Sequence, residues 1–159
     1  MDLFNQIDNG AIFSNDKKYR YVLWRIWNND LPKLMFIGLN PSTANQHKND
    51  NTINRIKGLC VSLGFGGFYM LNLFTYITAY PRELNECLDP VGPSDKYISM
   101  YIEKVNKTVL CYGSFKQAKN RAIEVKHLLN DVYCLGINRD GSPLHPLYCP
   151  TNSQLILYK

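Results

Sequence analysis

Four stretches of the chain are apolar on both phases of a two-residue alternation, and segments of helical periodicity separate them. Leu34–Ile37, Phe68–Leu73, Thr108–Tyr112 and Val132–Leu135 read as strands buried on both faces. Between the first two, Ile53, Ile56, Leu59, Cys60 and Leu63 recur at helical spacing from Thr52 to Leu63, and Gly64 closes the segment. A second helix begins at Ser94, read as its cap, and carries Tyr97, Ile98, Tyr101, Ile102 and Val105 on one face. A third runs from Phe115 to Leu129 with Ala118, Ala122, Val125, Leu128 and Leu129 inward; Lys116, Lys119, Arg121 and Lys126 point outward. Ahead of these, Tyr19–Trp27 alternates as a strand at a sheet edge, and residues 1–18 read as turn-rich, with Asp8-Asn9-Gly10 a turn. Gln154–Tyr158 is the last strand. Strands alternating with helices predict an α/β fold: a three-layer α/β/α sandwich around a mainly parallel sheet, one domain over 1–159.

A parallel sheet places the carboxyl ends of its strands on one rim, where open α/β folds bind ligands. The rim would gather Asn40, Ser42 and Thr43 after the first buried strand, and Asn72, Phe74 and Tyr76 after the second. Gly113-Ser114 comes from the third, and His145 and Tyr148 from the loop after the fourth. Pro41 restricts Asn40 to extended backbone and Gly38 permits a close approach, so one amide is aimed into a crevice. The polar stretch 45–51, with His47, Lys48 and Asp50, would rim it. Amides for polar edges and aromatic faces for stacking suit a nucleobase. Each residue also has a plainer reading: Asn40-Pro41 as turn chemistry, Asn72 as a cap, Phe74 and Tyr76 as core, His145 as a loop anchor.

Composition narrows the classes. Hydrophobic residues make up 45% of the chain and charged residues 19%, the balance of a folded domain. A formal charge of +5 permits a polyanionic partner without requiring one. The five cysteines form no C-x-x-C pair, and Cys60, Cys111 and Cys134 sit in apolar runs. That pattern predicts buried free thiols in a reducing, cytoplasmic compartment, with no zinc or iron–sulfur site. Asp2-Leu3-Phe4-Asn5-Gln6 lacks the basic start and apolar core of a signal peptide, and no apolar run is long enough to span a bilayer. There is no P-loop, no G-x-G-x-x-G, no nucleophile elbow and no obvious carboxylate pair.

Gly38-Leu39-Asn40-Pro41 resembles the first motif of the uracil-DNA glycosylase superfamily, in the G-I-N-P form of its mismatch-specific branch. Asn72-Leu73-Phe74 stands where that superfamily has its middle strand-end asparagine, and a Pro-Arg-x-x-Glu-like stretch follows (Pro81, Arg82, Glu86, with Glu83 near). His145-Pro146 resembles the H-P of the second catalytic motif. More closely, L-N-P-S-T-A, N-T-I-x-R, N-L-F, D-P-V-G-P and H-P-L-Y resemble a small bacterial and phage family of undescribed function with a glycosylase-like fold. Two features depart from the superfamily: Ser42 follows the first motif, and Leu147 replaces the serine of H-P-S.

The resemblance implies a monomeric, monofunctional DNA glycosylase that needs no cofactor or metal. Asn40 and His145 would be catalytic; Ser42, Thr43, Asp50, Asn72, Phe74, Tyr76 and Tyr148 would hold the flipped base. Arg55, Ser114, Lys116 and Lys119 would hold DNA phosphates. The polar loops 45–51 and 74–82 read as roomy, and with the phage link they favour a modified base such as glucosylated 5-hydroxymethylcytosine, excised in antiviral defence. Two other classes stay open: a hydrolase or transferase of DNA hypermodification acting on nucleotides or bases, and a non-catalytic module that binds modified DNA.

Overall fold

The computed structural model of the chain describes residues 7–159; the signal-peptide reading of Asp2–Gln6 lies outside them. Seven strands form one sheet: β1 Asp8–Phe13, β2 Arg20–Ile26, β3 Lys33–Gly38, β4 Gly67–Asn72, β5 Lys107–Leu110, β6 Val132–Cys134 and β7 Ile156–Tyr158, in the order β1-β2-β4-β3-β5-β6-β7. Three helices accompany them: α1 Asn51–Ser62, α2 Ser94–Tyr101 and α3 Ala118–Lys126. The fold is mixed α/β. The sheet is mixed too, not mainly parallel: β4, β3, β5 and β6 run parallel, while β1, β2 and β7 pair antiparallel. Only the four central strands have helices between them; β1 turns straight into β2, and β7 returns from β6 without a helix. The six-residue link from β1 to β2 is short enough to make them antiparallel neighbours, whereas residues 135–155 bring the chain back from β6 to β7 over a longer path.

The buried alternation is sorted by face. Leu34, Phe36, Phe68, Met70 and Val109 pack with Ile53, Ile56, Leu59 and Cys60 of α1. Met35, Ile37, Leu71 and Leu110 pack with Ile98 and Tyr101 of α2 and Ala118, Ala122 and Val125 of α3. From β3 the chain moves through α1 to β4 on one side, then returns through α2 to β5 on the other side of β3. The direction of winding therefore reverses at the carboxyl end of β3, where a crevice opens between diverging loops. That is where Gly38-Leu39-Asn40 emerges.

Several local expectations change. Asp8-Asn9-Gly10 is strand, not turn: it opens β1, and Gly10 faces the Trp24 ring so closely that a Cβ there would overlap the indole. β2 is consequently one strand in from the edge. Ser94 does not cap α2; its hydroxyl donates to the Asn72 carbonyl at 2.8 Å and ties α2 to the end of β4. Helix α3 is shorter than its periodicity suggested, and Arg121 points inward. Its Nε donates to the Leu73 carbonyl at 2.9 Å while Asp95 and Glu124 hold the rest of the guanidinium. The five cysteines are free, and Cys60, Cys111 and Cys134 are buried as expected. Among the described residues no helix is long and apolar enough to cross a membrane.

Candidate functional site

A hollow of about 160 Å3 lies at the reversal point. Its wall comes from Gly38, Leu39, Asn40 and Ser42 after β3, Asp50 and Ile53 at the start of α1, and Met70 and Asn72 of β4. Thr78, Ala79 and Pro81 of the next loop, Cys111 and Phe115 after β5, and His145 and Pro146 complete it, with Arg20 of β2 on the inner wall. Thus five of the residues expected at the rim — Asn40, Ser42, Asp50, Asn72 and His145 — line one cavity.

Asn40 is held by its own loops. Its Nδ2 donates to the carbonyls of Pro41 (2.9 Å) and Thr78 (2.8 Å), which leaves Oδ1 as the atom with accepting capacity. His145 caps a 3-10 turn, Pro146–Tyr148, with Nδ1 accepting from the Leu147 N–H at 3.2 Å. The proton of the neutral ring is therefore on Nε2, which makes Nε2 a donor. Burial pushes the His145 pKa down, and nearby Asp50 offsets part of that push. The neutral imidazole is the form favoured here.

Asn72 is buried, and its Oδ1 accepts from Arg20 at 3.4 Å. Its Nδ2 has no protein acceptor among the described residues. Gly38 makes room for it: a Cβ at Gly38 would stand 2.9 Å from Asn72 Nδ2 and 2.6 Å from Met70 Cε. Asp50 caps α1 by accepting from the Ile53 N–H at 2.9 Å, and this brings its half-exposed carboxylate to the cavity wall. Among the described residues no group of His, Cys, Asp or Glu is arranged to hold a metal ion.

Other expected site residues fall elsewhere. Phe74 is in the core with Leu71, Leu73 and Leu84, and Tyr76 lies edge-on against Tyr19 at 5.7 Å. The cause is that residues 74–77 run beside residues 18–20, with Arg20 N–H on the Thr75 carbonyl and Ile77 N–H on that of Lys18. Thr43 is exposed and off the cavity. Tyr148 is 80% exposed, its ring 6.0 Å from that of His145. Arg55 donates to the Cys149 carbonyl at 3.4 Å and so braces the turn carrying His145; it lines a separate groove with Asn51, Asn54 and Leu147. Ser114 donates to Asp140 at 2.5 Å, and hydrogen bonds from Ser114 and Ser142 hold the Asp140 pKa down at about 2. An ionised carboxylate beside Ser114 opposes a phosphate there. Lys116 and Lys119 are exposed along a groove of about 580 Å3 that shares Phe115 with the hollow.

Both bounding loops are anchored along part of their length. Arg25 pins the 45–49 segment through Asn49 Oδ1 (2.8 Å) and the Asn45 carbonyl (2.5 Å), and the 74–77 segment is fixed by the pairing just described.

Sequence reasoning missed Phe115 and Arg20. Phe115 supplies the aromatic face that Phe74 and Tyr76 do not; its signal was an aromatic directly after the Gly113-Ser114 strand end. Arg20 stands beside a register shift in β2, where Ile12 pairs with Val22 and Phe13 with Arg20, so the alternation of the strand did not give its face.

Against known proteins, the family model described as Protein of unknown function (DUF1643) matches residues 20–147, most of the chain. No curated protein and no solved structure gives a match.

Proposed function

The chain belongs to the DUF1643 family, and from its site we propose that it is a DNA glycosylase of uracil-DNA glycosylase type, excising a modified pyrimidine from DNA. The supporting observation is one cavity, sized for a single heterocycle, that joins an immobilised amide oxygen (Asn40) to a neutral imidazole donor (His145). The packing of α1 on one sheet face and α2 with α3 on the other suits the three-layer arrangement that this reading expects.

The target nucleotide leaves the stack, at a cost of a few kcal/mol, and its base enters the hollow. Phe115 offers a stacking face worth about 1–3 kcal/mol. Asn72 Nδ2 donates to the base edge and His145 Nε2 donates to a ring oxygen. The C1′–N bond breaks with its electron pair remaining on the base. Asn40 Oδ1 accepts from a water placed at C1′; the water oxygen bonds to C1′ and its proton passes to Asp50. Asn40 is too weak a base to drive the step, so barrier lowering comes from orientation and from stabilising the departing base. Lys116 and Lys119 border the approach, and the exposed Tyr148 stands where it can contact the strand.

A hollow of about 160 Å3 does not take a pyrimidine and a hexose together. A bulky 5-substituent such as the sugar of glucosylated 5-hydroxymethylcytosine would extend past Phe115 into the adjoining groove. An enzyme of this kind acts against modified phage DNA.

The test is chromatography for freed base after incubation with DNAs carrying plain uracil, 5-hydroxymethylcytosine or its glucosylated form, wild type against Asn40→Ala. Release of a modified base that Asn40→Ala loses supports the proposal. Alkali-labile sites in uracil DNA alone would remove the modified-base preference, turnover of mononucleotides would make the protein a nucleotide hydrolase, and retention of DNA without any release would make it a binding module.

A further inference from the structure

Three arginines are buried among the described residues, and they are satisfied to different degrees. Arg121 meets two carboxylates, Asp95 at 2.5 Å and Glu124 at 3.0 Å. Arg25 distributes its donors over Asn49 Oδ1 and the carbonyls of Trp24 and Asn45, all within 2.8 Å. Arg20 has two long bonds, to the Ala44 carbonyl at 3.2 Å and Asn72 Oδ1 at 3.4 Å. Its Nε is a fully buried side-chain donor with no partner, and no carboxylate of the described residues is within ion-pair distance of it. Burial lowers the Arg20 pKa only to about 10, so the side chain remains a cation. Asp50 offsets part of that burial from a distance without pairing directly, and a buried charge lacking a direct partner is strongly unfavourable unless something pairs with it. Arg20 is on the wall of the hollow, so the pairing group is one that enters the hollow.

We propose that Arg20 is the anion-stabilising group of this site: the hollow binds its heterocycle as a nitrogen-deprotonated anion, and Arg20 stabilises the base as it departs from C1′. The proposal rests on the glycosylase reading and adds the charge state in which the base leaves. When the C1′–N bond breaks, the electron pair stays on the ring nitrogen and spreads over the ring and its exocyclic carbonyl oxygen, and the guanidinium of the hollow's wall favours that negative charge. Water supplies the new C1′–O bond, its proton goes to Asp50, and the freed base takes a proton from solvent. The charges around the hollow are ordered for this. Arg20 is buried, and the nearby Arg25 adds positive charge around it, whereas Asp50, which attracts Arg20 from a distance, is half-exposed. His145 adds no charge in its neutral form. A field running from a buried cation to a half-exposed carboxylate favours negative charge on the base and positive charge on the sugar.

The test is calorimetric binding of two free bases to the full chain, 5-nitrouracil and uracil, at one pH below and one pH above the ionisation of the nitro compound. Uracil stays neutral at both and controls for titration of the protein. The anion of 5-nitrouracil is expected to bind about tenfold more tightly than its neutral form, the scale of one charge-assisted hydrogen bond. Arg20→Met should abolish that preference and Arg20→Lys keep part of it. Asp50→Asn, which retains a good helix cap, should strengthen anion binding. If Arg20→Met does not fold, the Lys and Asp50→Asn variants carry the test. Equal binding of the two ionisation states by the wild type, or an unchanged preference in Arg20→Lys together with no gain in Asp50→Asn, overturns the proposal. An anion preference without base release from any DNA keeps the Arg20 assignment and removes the glycosylase reading; base release without an anion preference does the reverse.

Discussion

Asn40 is oriented by Thr78: its Nδ2 donates to the Thr78 carbonyl at 2.8 Å, and its second amide proton goes to the Pro41 carbonyl. An amide with both N–H groups committed has a fixed face, and the one free polar atom points where the loops direct it. Asn40→Ala is expected to slow base release by about 10²–10³, comparable to the loss of one preorganised polar contact, and to lower stability by about 1–2 kcal/mol through the two lost bonds. Asn40→Asp should not rescue activity. Its carboxylate would face two carbonyl oxygens, so the stronger base would be turned out of place. Single-turnover base release and a thermal melt separate the two effects.

The His145 turn predicts a pH limb. Burial holds the imidazole pKa below its usual value, against the opposing pull of Asp50. Protonation at Nδ1 removes the acceptor for the Leu147 N–H, so the turn that aims the ring loosens as pH falls. Activity should be level near neutrality and decline as pH drops through the lowered pKa. Stability should fall in the same direction. The unfolded chain takes up the proton first, from about pH 6.5 downward, and gains on the folded state until the folded ring is protonated as well. His145→Ala should cost about 10²–10³ in rate and flatten this limb in both the rate profile and the melting temperature.

Much of this arrangement was legible in the chain. Doubly apolar runs located β3, β4, β5 and β6, and their carboxyl ends delivered Asn40, Asn72 and His145 to one rim, because parallel strands leave little choice about where loops emerge. What escaped was set by partners distant in sequence. Gly10 read as turn chemistry because its reason, the Trp24 ring on the neighbouring strand, is fourteen positions away. Arg121 read as solvated because its i+3 partner Glu124 is local, but Asp95 and the Leu73 carbonyl are not. The aromatic residues were misassigned for the same reason. Phe74 and Phe115 both follow strand ends, and only the pairing of residues 74–77 with 18–20 decides that the first is core and the second lines the hollow.

Gly38 is required by what stands against it. A methyl group there would come within 2.6 Å of Met70 Cε and 2.9 Å of Asn72 Nδ2. The methionine end can swing aside, but the amide is held through Arg20 and cannot move without losing its aim. Gly38→Ala should therefore reduce activity along with stability. Base release is expected to drop about tenfold or more, while overpacking costs about 1–3 kcal/mol. Met70→Ala in the same chain would not repair the fold, because emptying that buried position costs about 2–5 kcal/mol of its own; melting temperature beside single-turnover rate reads both effects.

Phe115 and Phe74 give opposite outcomes when truncated. Phe115 is 37% exposed and lines the hollow, whereas Phe74 is 6% exposed and packs against Leu71, Leu73 and Leu84. Phe115→Ala should leave the melting temperature nearly unchanged and weaken binding of the flipped base by about 1–3 kcal/mol, the loss of a stack. Phe74→Ala should lower stability by about 3–5 kcal/mol through the cavity it leaves. In chains that still fold, Phe74→Ala should bind the base with wild-type affinity. Denaturant titration and fluorescence binding of a duplex carrying a non-hydrolysable nucleotide that keeps its base read both quantities on the same samples. A Phe74→Ala chain that folds normally but loses base affinity would return that residue to the site and move Phe115 out of it.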